Sequence, residues 1–247
     1  MPSMRRRHLL PRSLMGWLWT AGAAVVVVAL LAVGGSFVFT HYIEGKAPAP
    51  LSLGATGSAS PGSSTSAASA GSSTVAGTWA ISTGSRAGYR VQEVLFGQQH
   101  TAVGRTSHLG GHIKIQDTTV TAGTFTVQMS TVKSDQAQRD AQFRGRIMDT
   151  STYPTSTFTL THAISLVPLP ASGTARSYTV GGNLTLHGKT RPVTVHLTAA
   201  RDAGTIKLAG SIPIVFADWG IPNPSFAGLV TTQNHGTLEF LLILDRS

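Results

Sequence analysis

From Gly77 onward, apolar and polar residues alternate with a period of two. Tyr89, Val91 and Leu95 fall on one parity; Phe125, Val127 and Met129 repeat the pattern, as do Phe158 and Leu160. Leu184 and Leu186 follow, then Val193, Val195 and Leu197, then Ile206, Leu208, Ile212, Ile214 and Phe216. Leu238, Phe240, Leu242 and Leu244 close the series, and the intervening positions are mostly Thr, Gln, Lys, Arg and Ser. Such alternation predicts half-buried antiparallel strands. They are expected over roughly 86–96, 101–116, 119–132, 156–166, 177–187, 191–201, 204–217 and 229–245, separated by turn residues such as Gln116–Asp117–Thr118 and His187–Gly188–Lys189–Thr190. Long sequential strands need closure or cover to hide their edges. The expected fold is therefore all-β, an eight-stranded antiparallel barrel, wide enough for filler side chains or one small ligand.

One stretch breaks the alternation. Ser134–Met148 reads SDQAQRDAQFRGRIM. Ser134 is a suitable N-cap, Asp135 suits the first turn, and Ala137, Ala141, Arg144 and Met148 share a helical stripe flanked by Phe143 and Ile147. One short helix is expected here, weakened in its second half by Gly145.

The first 76 residues follow neither pattern. Arg5, Arg6, Arg7 and Arg12 precede Ser13–Thr40, which holds no charged residue. About 20 apolar residues suffice to span a bilayer. Trp17 and Trp19 near one end, and Phe37, Phe39 and Tyr42 near the other, fit interfacial belts, and the arginines predict a cytoplasmic N-terminus. Residues 1–45 are expected to form a basic stub and a transmembrane helix, crossing through 14–40. The alternative is a signal peptide cut near Ala32–Gly35, whose apolar region would be shorter than this one. Either way the rest of the chain is exported. Residues 46–76, almost all Ala, Ser, Gly, Thr and Pro, are expected to form a disordered linker. The barrel domain occupies 77–247.

Composition narrows the chemistry. Cysteine is absent, which excludes a disulfide framework, a thiol nucleophile and Cys-ligated metal. The net charge is +9, but 77–247 carries 14 Lys and Arg against 9 Asp and Glu, scattered singly. No basic stripe with interleaved aromatics appears, so no nucleic-acid partner is expected. His108 and His112 bracket Leu109–Gly110–Gly111, and His100 lies nearby; a glycine pair in a β context is poor for a metal site, and none is expected. No G-x-S-x-G elbow and no phosphate-binding glycine loop occurs. Glu93 shares parity with Tyr89 and Val91, yet a barrel-end or solvent-facing position is favoured for a carboxylate.

The run STVKSDQAQRDAQFRGRIMDTSTYPTSTFTLT resembles the central signature of the YceI-like family. The matching residues are Ser130–Thr131–Val132, Arg139–Asp140, Phe143, Asp149, Tyr153–Pro154 and Phe158. GGNLTLHGKTRPVTVHL is similar to the family's hairpin, through Gly182, Leu184, Thr185, Gly188, Thr190, Pro192 and Val193. Phe216–Ala217–Asp218–Trp219–Gly220–Ile221 resembles a late element, and Trp79 an opening tryptophan. The chain departs from the pattern at Gly84–Ser85 before Tyr89–Arg90, and at Arg144 after Phe143. The resemblance covers about 77–245. It implies a lipocalin-like barrel with a helix, exported from a bacterium, holding a polyisoprenoid or similar long amphiphile.

On that basis the expected lining is Tyr89, Val91, Phe125, Val127, Phe158, Leu184, Leu186, Ile212 and Ile214, with Phe143 and Trp219 nearer a mouth. Arg139 is a candidate headgroup contact, although an Arg–Asp network pinning the helix is the favoured role for Arg139 and Asp140. Asp218 suits a turn, and Tyr153–Pro154 the start of a strand. The expected function is a membrane-tethered, extracytoplasmic lipid-binding protein, non-enzymatic and without a cofactor. Its partners would be a polyisoprenoid or quinone-like lipid, the cytoplasmic membrane and, as a homodimer, a second copy. A packed interaction barrel without a lipid is the alternative, and an enzyme acting on a lipid comes third.

Overall fold

The computed structural model describes residues 47–54, 74–95, 97–202, 204–225 and 230–247. The chain divides into two units, Met1–Lys46 and Ala47–Ser247, and every described residue belongs to the second. The expected transmembrane helix lies outside the described residues. Among the described residues no helix is long and apolar enough to cross a membrane.

Among the described residues twelve strands form one antiparallel sheet: β1 Gly77–Ile81, β2 Arg86–Leu95, β3 Gln98–Thr106, β4 Leu109–Gln116, β5 Thr119–Gln128, β6 Thr155–Leu160, β7 Ile164–Ser165, β8 Arg176–Leu186, β9 Lys189–Asp202, β10 Thr205–Val215, β11 Val230–Thr232 and β12 His235–Arg246. The order β1-β4-β5-β6-β8-β9-β10-β12, closed by the β1–β12 pairing, makes the eight-stranded ring. β12 also pairs with β2 through Thr237–Leu241, and β2 pairs with β3 and β11. The β2–β3 hairpin thus prolongs the wall at one end. The expected 101–116 strand is broken at Ser107–His108, and 156–166 is broken after Leu160. β1 belongs to the ring although only Trp79 marked it in the sequence. Turns sit where their chemistry allows: Asp117 after β4 has φ 53°, and His187 and Gly188 joining β8 to β9 have φ 49° and 73°, the left-handed pair that suits a two-residue hairpin.

The helical insert starts later than its sequence suggests. α1 spans Ala137–Gln142 and continues as a widened turn over Phe143–Ile147. Ser134 does not cap it. Its backbone N–H and its hydroxyl both donate to Asp140 Oδ1 at 2.7 Å, so a tight turn precedes the helix. Gly145 sits inside the widened turn, where the Met148 N–H reaches the Phe143 carbonyl at 2.9 Å; low helix propensity there favours departure from regular spacing. A second single turn, α2, spans Phe216–Trp219 and ends on Gly220 at φ 67°. The insert follows Lys133, whose backbone pairs with that of Arg105 in β3.

The stretch assigned by composition to the linker contributes an ordered piece. Pro48–Leu51 lies on the outer wall. Arg90 donates to the Pro48 carbonyl at 2.6 Å, Arg105 donates to the Ala49 carbonyl, and the Leu51 N–H donates to Glu239 Oε2 at 3.3 Å. Glu239, 4% exposed, is paired with Arg105 at 2.7 Å and Arg90 at 3.5 Å. Composition judges only what a segment buries by itself. Here charged barrel side chains bond its backbone, and Pro48 and Pro50 lower the entropy lost on docking.

Candidate functional site

Two apolar clusters occupy the barrel. At one end Trp79, Ile113, Ile115, Val120, Ile206, Leu242 and Leu244 interdigitate around Val75. The Trp79 indole N–H donates to the Val75 carbonyl at 2.8 Å, and the Arg246 guanidinium lies 5.0 Å from the Trp79 ring. Only about 70 Å³ remains empty there. At the other end the wall encloses a cavity of about 220 Å³.

Tyr89, Val91, Phe125, Val127, Phe143, Phe158, Leu184, Leu186, Ile212 and Ile214 all line this cavity. Trp219 does not. It is buried at 4% in the surrounding cluster, on the single turn α2 that follows β10, and its indole N–H finds no partner among the described residues. The period-two count does not extend through that turn. Residues outside the expected set complete the lining, notably Met129, Met148, Val180, Phe216, Leu238 and Phe240. Met129, Phe216, Leu238 and Phe240 belong to the alternating series and were legible by parity, although Met129 and Phe216 stand just past a strand end; Met148 follows the widened turn.

The cavity stays open because its aromatics lie flat on the wall. Tyr89 sits opposite Gly104 of β3, where any Cβ would collide with the Tyr89 ring. Gly182 of β8 leaves the same room for Phe158. A larger residue at either position would push its ring toward the axis. Tyr89 also stacks on Phe143, with centroids 5.2 Å apart and an interplanar angle of 12°, which fastens the helical insert to the wall.

An ion pair interrupts the apolar surface. Glu93 faces inward and is 8% exposed, contrary to the solvent-facing position favoured from sequence. Arg139 lines the cavity and meets Glu93 Oε1 at 3.1 Å while also pairing with Asp135. Parity placed Glu93 on the inner face; the cation that offsets its burial arrives from a distant segment. Arg139 thus pins α1 to β2, whereas Asp140 bonds Ser134. Burial pushes the Tyr89 hydroxyl well above its ordinary ionisation range, with Arg139 opposing and three nearby carboxylates adding to the rise.

The other signature residues shape the backbone. Asp149 adopts φ 40° and accepts from the Ser151 hydroxyl at 2.7 Å, and this bond, then others from Thr152, lowers its pKa. Tyr153 packs on His187, with centroids 4.6 Å apart. The Asp218 carbonyl accepts from Arg191 at 2.6 Å. Among the described residues no group of three His, Asp or Glu side chains is placed to hold a metal.

The YceI-like domain family matches residues 79–243. The chain belongs to the YceI-like family. Among solved structures, a polyisoprenoid binding domain from Saccharophagus degradans, implicated in plant cell wall breakdown, is similar with a TM-score of 0.58 and 19% identity, over 70% of this chain and 99% of that one. BcnA of Burkholderia cenocepacia matches with a TM-score of 0.48 and 23% identity, over 63% and 95%. The YceI protein of Campylobacter jejuni matches with 0.42 and 13%, over 58% and 84%. No curated protein matches the chain. At 19% identity the first of these likenesses shows the fold, an antiparallel barrel.

Proposed function

We propose that the barrel binds the hydrocarbon chain of a polyisoprenoid or a similar long amphiphile, and stores, shields or transfers it. The observation that carries this reading is the cavity itself: a mostly apolar interior kept open by flattened aromatics, with the Glu93–Arg139 ion pair beside the helical insert. The similar domain from Saccharophagus degradans, described as polyisoprenoid binding, supports the same ligand class. Each methylene buried from water contributes about 0.8 kcal/mol, so a chain is held with few polar contacts. An apolar cavity of about 150 Å³ takes up benzene, so one of about 220 Å³ holds roughly two isoprene units. A longer tail enters as Met129 and Met148 swing aside, since unbranched methionine repacks readily.

The uncharged stretch 13–40 supports an uncleaved anchor with the barrel outside the cytoplasmic membrane, where a carrier needs no diffusional search. The test is ligand-dependent thermal stabilisation of the full chain by a long-chain isoprenoid, in parallel with Phe125→Asn. Stabilisation that Phe125→Asn reduces at least tenfold in apparent affinity is expected. Equal response of both proteins, or none from the wild type, contradicts the reading.

A further inference from the structure

Resting on that reading, we propose that the cavity selects lipids with an uncharged, oxygen-bearing headgroup and rejects phosphorylated ones. Among the described lining residues, the charged side chains are Glu93, Arg139 and Glu239. Glu239 is held from the outer wall by Arg105 and Arg90. Arg139 is therefore the cation facing the cavity, and it already serves two carboxylates, Glu93 at 3.1 Å and Asp135.

A phosphate is stable away from water only against cations or several strong donors. To win Arg139 it must displace Glu93, which is 8% exposed. That exchange leaves a buried carboxylate uncompensated beside a second anion. The surrounding charges do not relieve this, because Asp135, Asp140 and Glu93 all act on Tyr89 alongside Arg139.

A neutral oxygen meets different surroundings. Thr232 lines the cavity, is 6% exposed, and its hydroxyl has no hydrogen-bond partner among the described residues. It stands directly across from Glu93 in the β2–β11 pairing. A buried hydroxyl left unpaired is costly, so a ligand carbonyl or hydroxyl that engages it gains more than it would at a satisfied site. Tyr89 lines the same cavity, and its phenol is a donor at neutral pH, its ionisation pushed further up by burial. The polar end thus offers hydroxyl donors and a self-neutralised ion pair, the complement of a quinone carbonyl or an isoprenoid alcohol.

The test measures binding of four probes of matched chain length to the full-length protein: a polyprenyl quinone, a polyprenol, a polyprenyl monophosphate and a headless polyprene. The quinone, the alcohol or both should bind at least tenfold more tightly than the monophosphate, and the two arms identify which oxygen is preferred. Monophosphate binding equal to or tighter than both neutral lipids overturns the proposal. Failure of all four overturns the isoprenoid reading itself. Thr232→Val, nearly isosteric, should weaken the preferred headed lipid three- to tenfold and leave the headless polyprene unchanged. An unchanged headed lipid would remove Thr232 from the site and overturn the assignment of its hydroxyl.

Discussion

The two ends of this barrel are built from the same strands and do opposite things. β12 sends Leu242 and Leu244 into the closed end and Leu238 and Phe240 toward the cavity; β10 divides Ile206 from Ile212 and Ile214 in the same way. Hydrophobicity does not distinguish the ends. Their partners do. At the closed end Trp79 and β-branched residues from β1, β4 and β5 meet across the axis and fill it. At the open end aromatics lie over glycines, and the helical insert is fastened to β2 by the Arg139–Glu93 pair and the Phe143–Tyr89 stack. An interior is packed or hollow according to which small residues face the large ones.

The largest effect should come from hollowing the filled end. Leu244 is 0% exposed, and Leu244→Ala should cost about 2–5 kcal/mol of stability, read by denaturant unfolding. A loss below 1 kcal/mol would mean that the closed end is not the stabilising core. Filling the hollow end is the reverse experiment. Gly104→Ala should drive the Tyr89 ring off the wall, lowering isoprenoid affinity more than tenfold while costing about 1–3 kcal/mol as an overpacked site. Unchanged affinity would show that Tyr89 does not shape the cavity.

A smaller change probes one bond at the closed end. Trp79→Phe removes the 2.8 Å bond to Val75 and should cost about 1 kcal/mol, with ligand binding unaffected. The smallest effect is a pH dependence in the loop after α1. The Asp149 carboxyl is lowered by the Ser151 and Thr152 hydroxyls. Its contribution is fully present above the ordinary aspartate range and lost as pH falls through that range toward its lowered value. Asp149→Asn should therefore flatten the acid limb of the stability profile and change little at neutral pH.

The inner face of this barrel was legible because a strand repeats every two residues, so Tyr89, Phe125, Leu184 and Ile212 fall in place by counting. Counting fails where the backbone leaves the strand. Phe216 keeps the parity of β10 and lines the cavity, whereas Trp219, three residues on in the same helical turn, does not, and Met148 follows the widened turn. Three-dimensional partnership was equally hidden. Glu93 had the inward parity, but only the arrival of Arg139 from α1 makes a buried carboxylate tolerable. Gly104 carries no signal of its own in the sequence; the tyrosine opposite it gives it a purpose. The outer-wall contact of Pro48–Leu51 was invisible to composition, because it is made by the segment's backbone and by arginines elsewhere.

The most direct measurement is organic extraction of the purified full-length protein followed by mass spectrometry. The account predicts a long-chain isoprenoid at near-stoichiometric amount, depleted in Phe125→Asn. Extracts free of such a lipid, together with no bound mass and no thermal stabilisation on adding long-chain isoprenoids, would contradict it and leave an interaction barrel with an empty cavity.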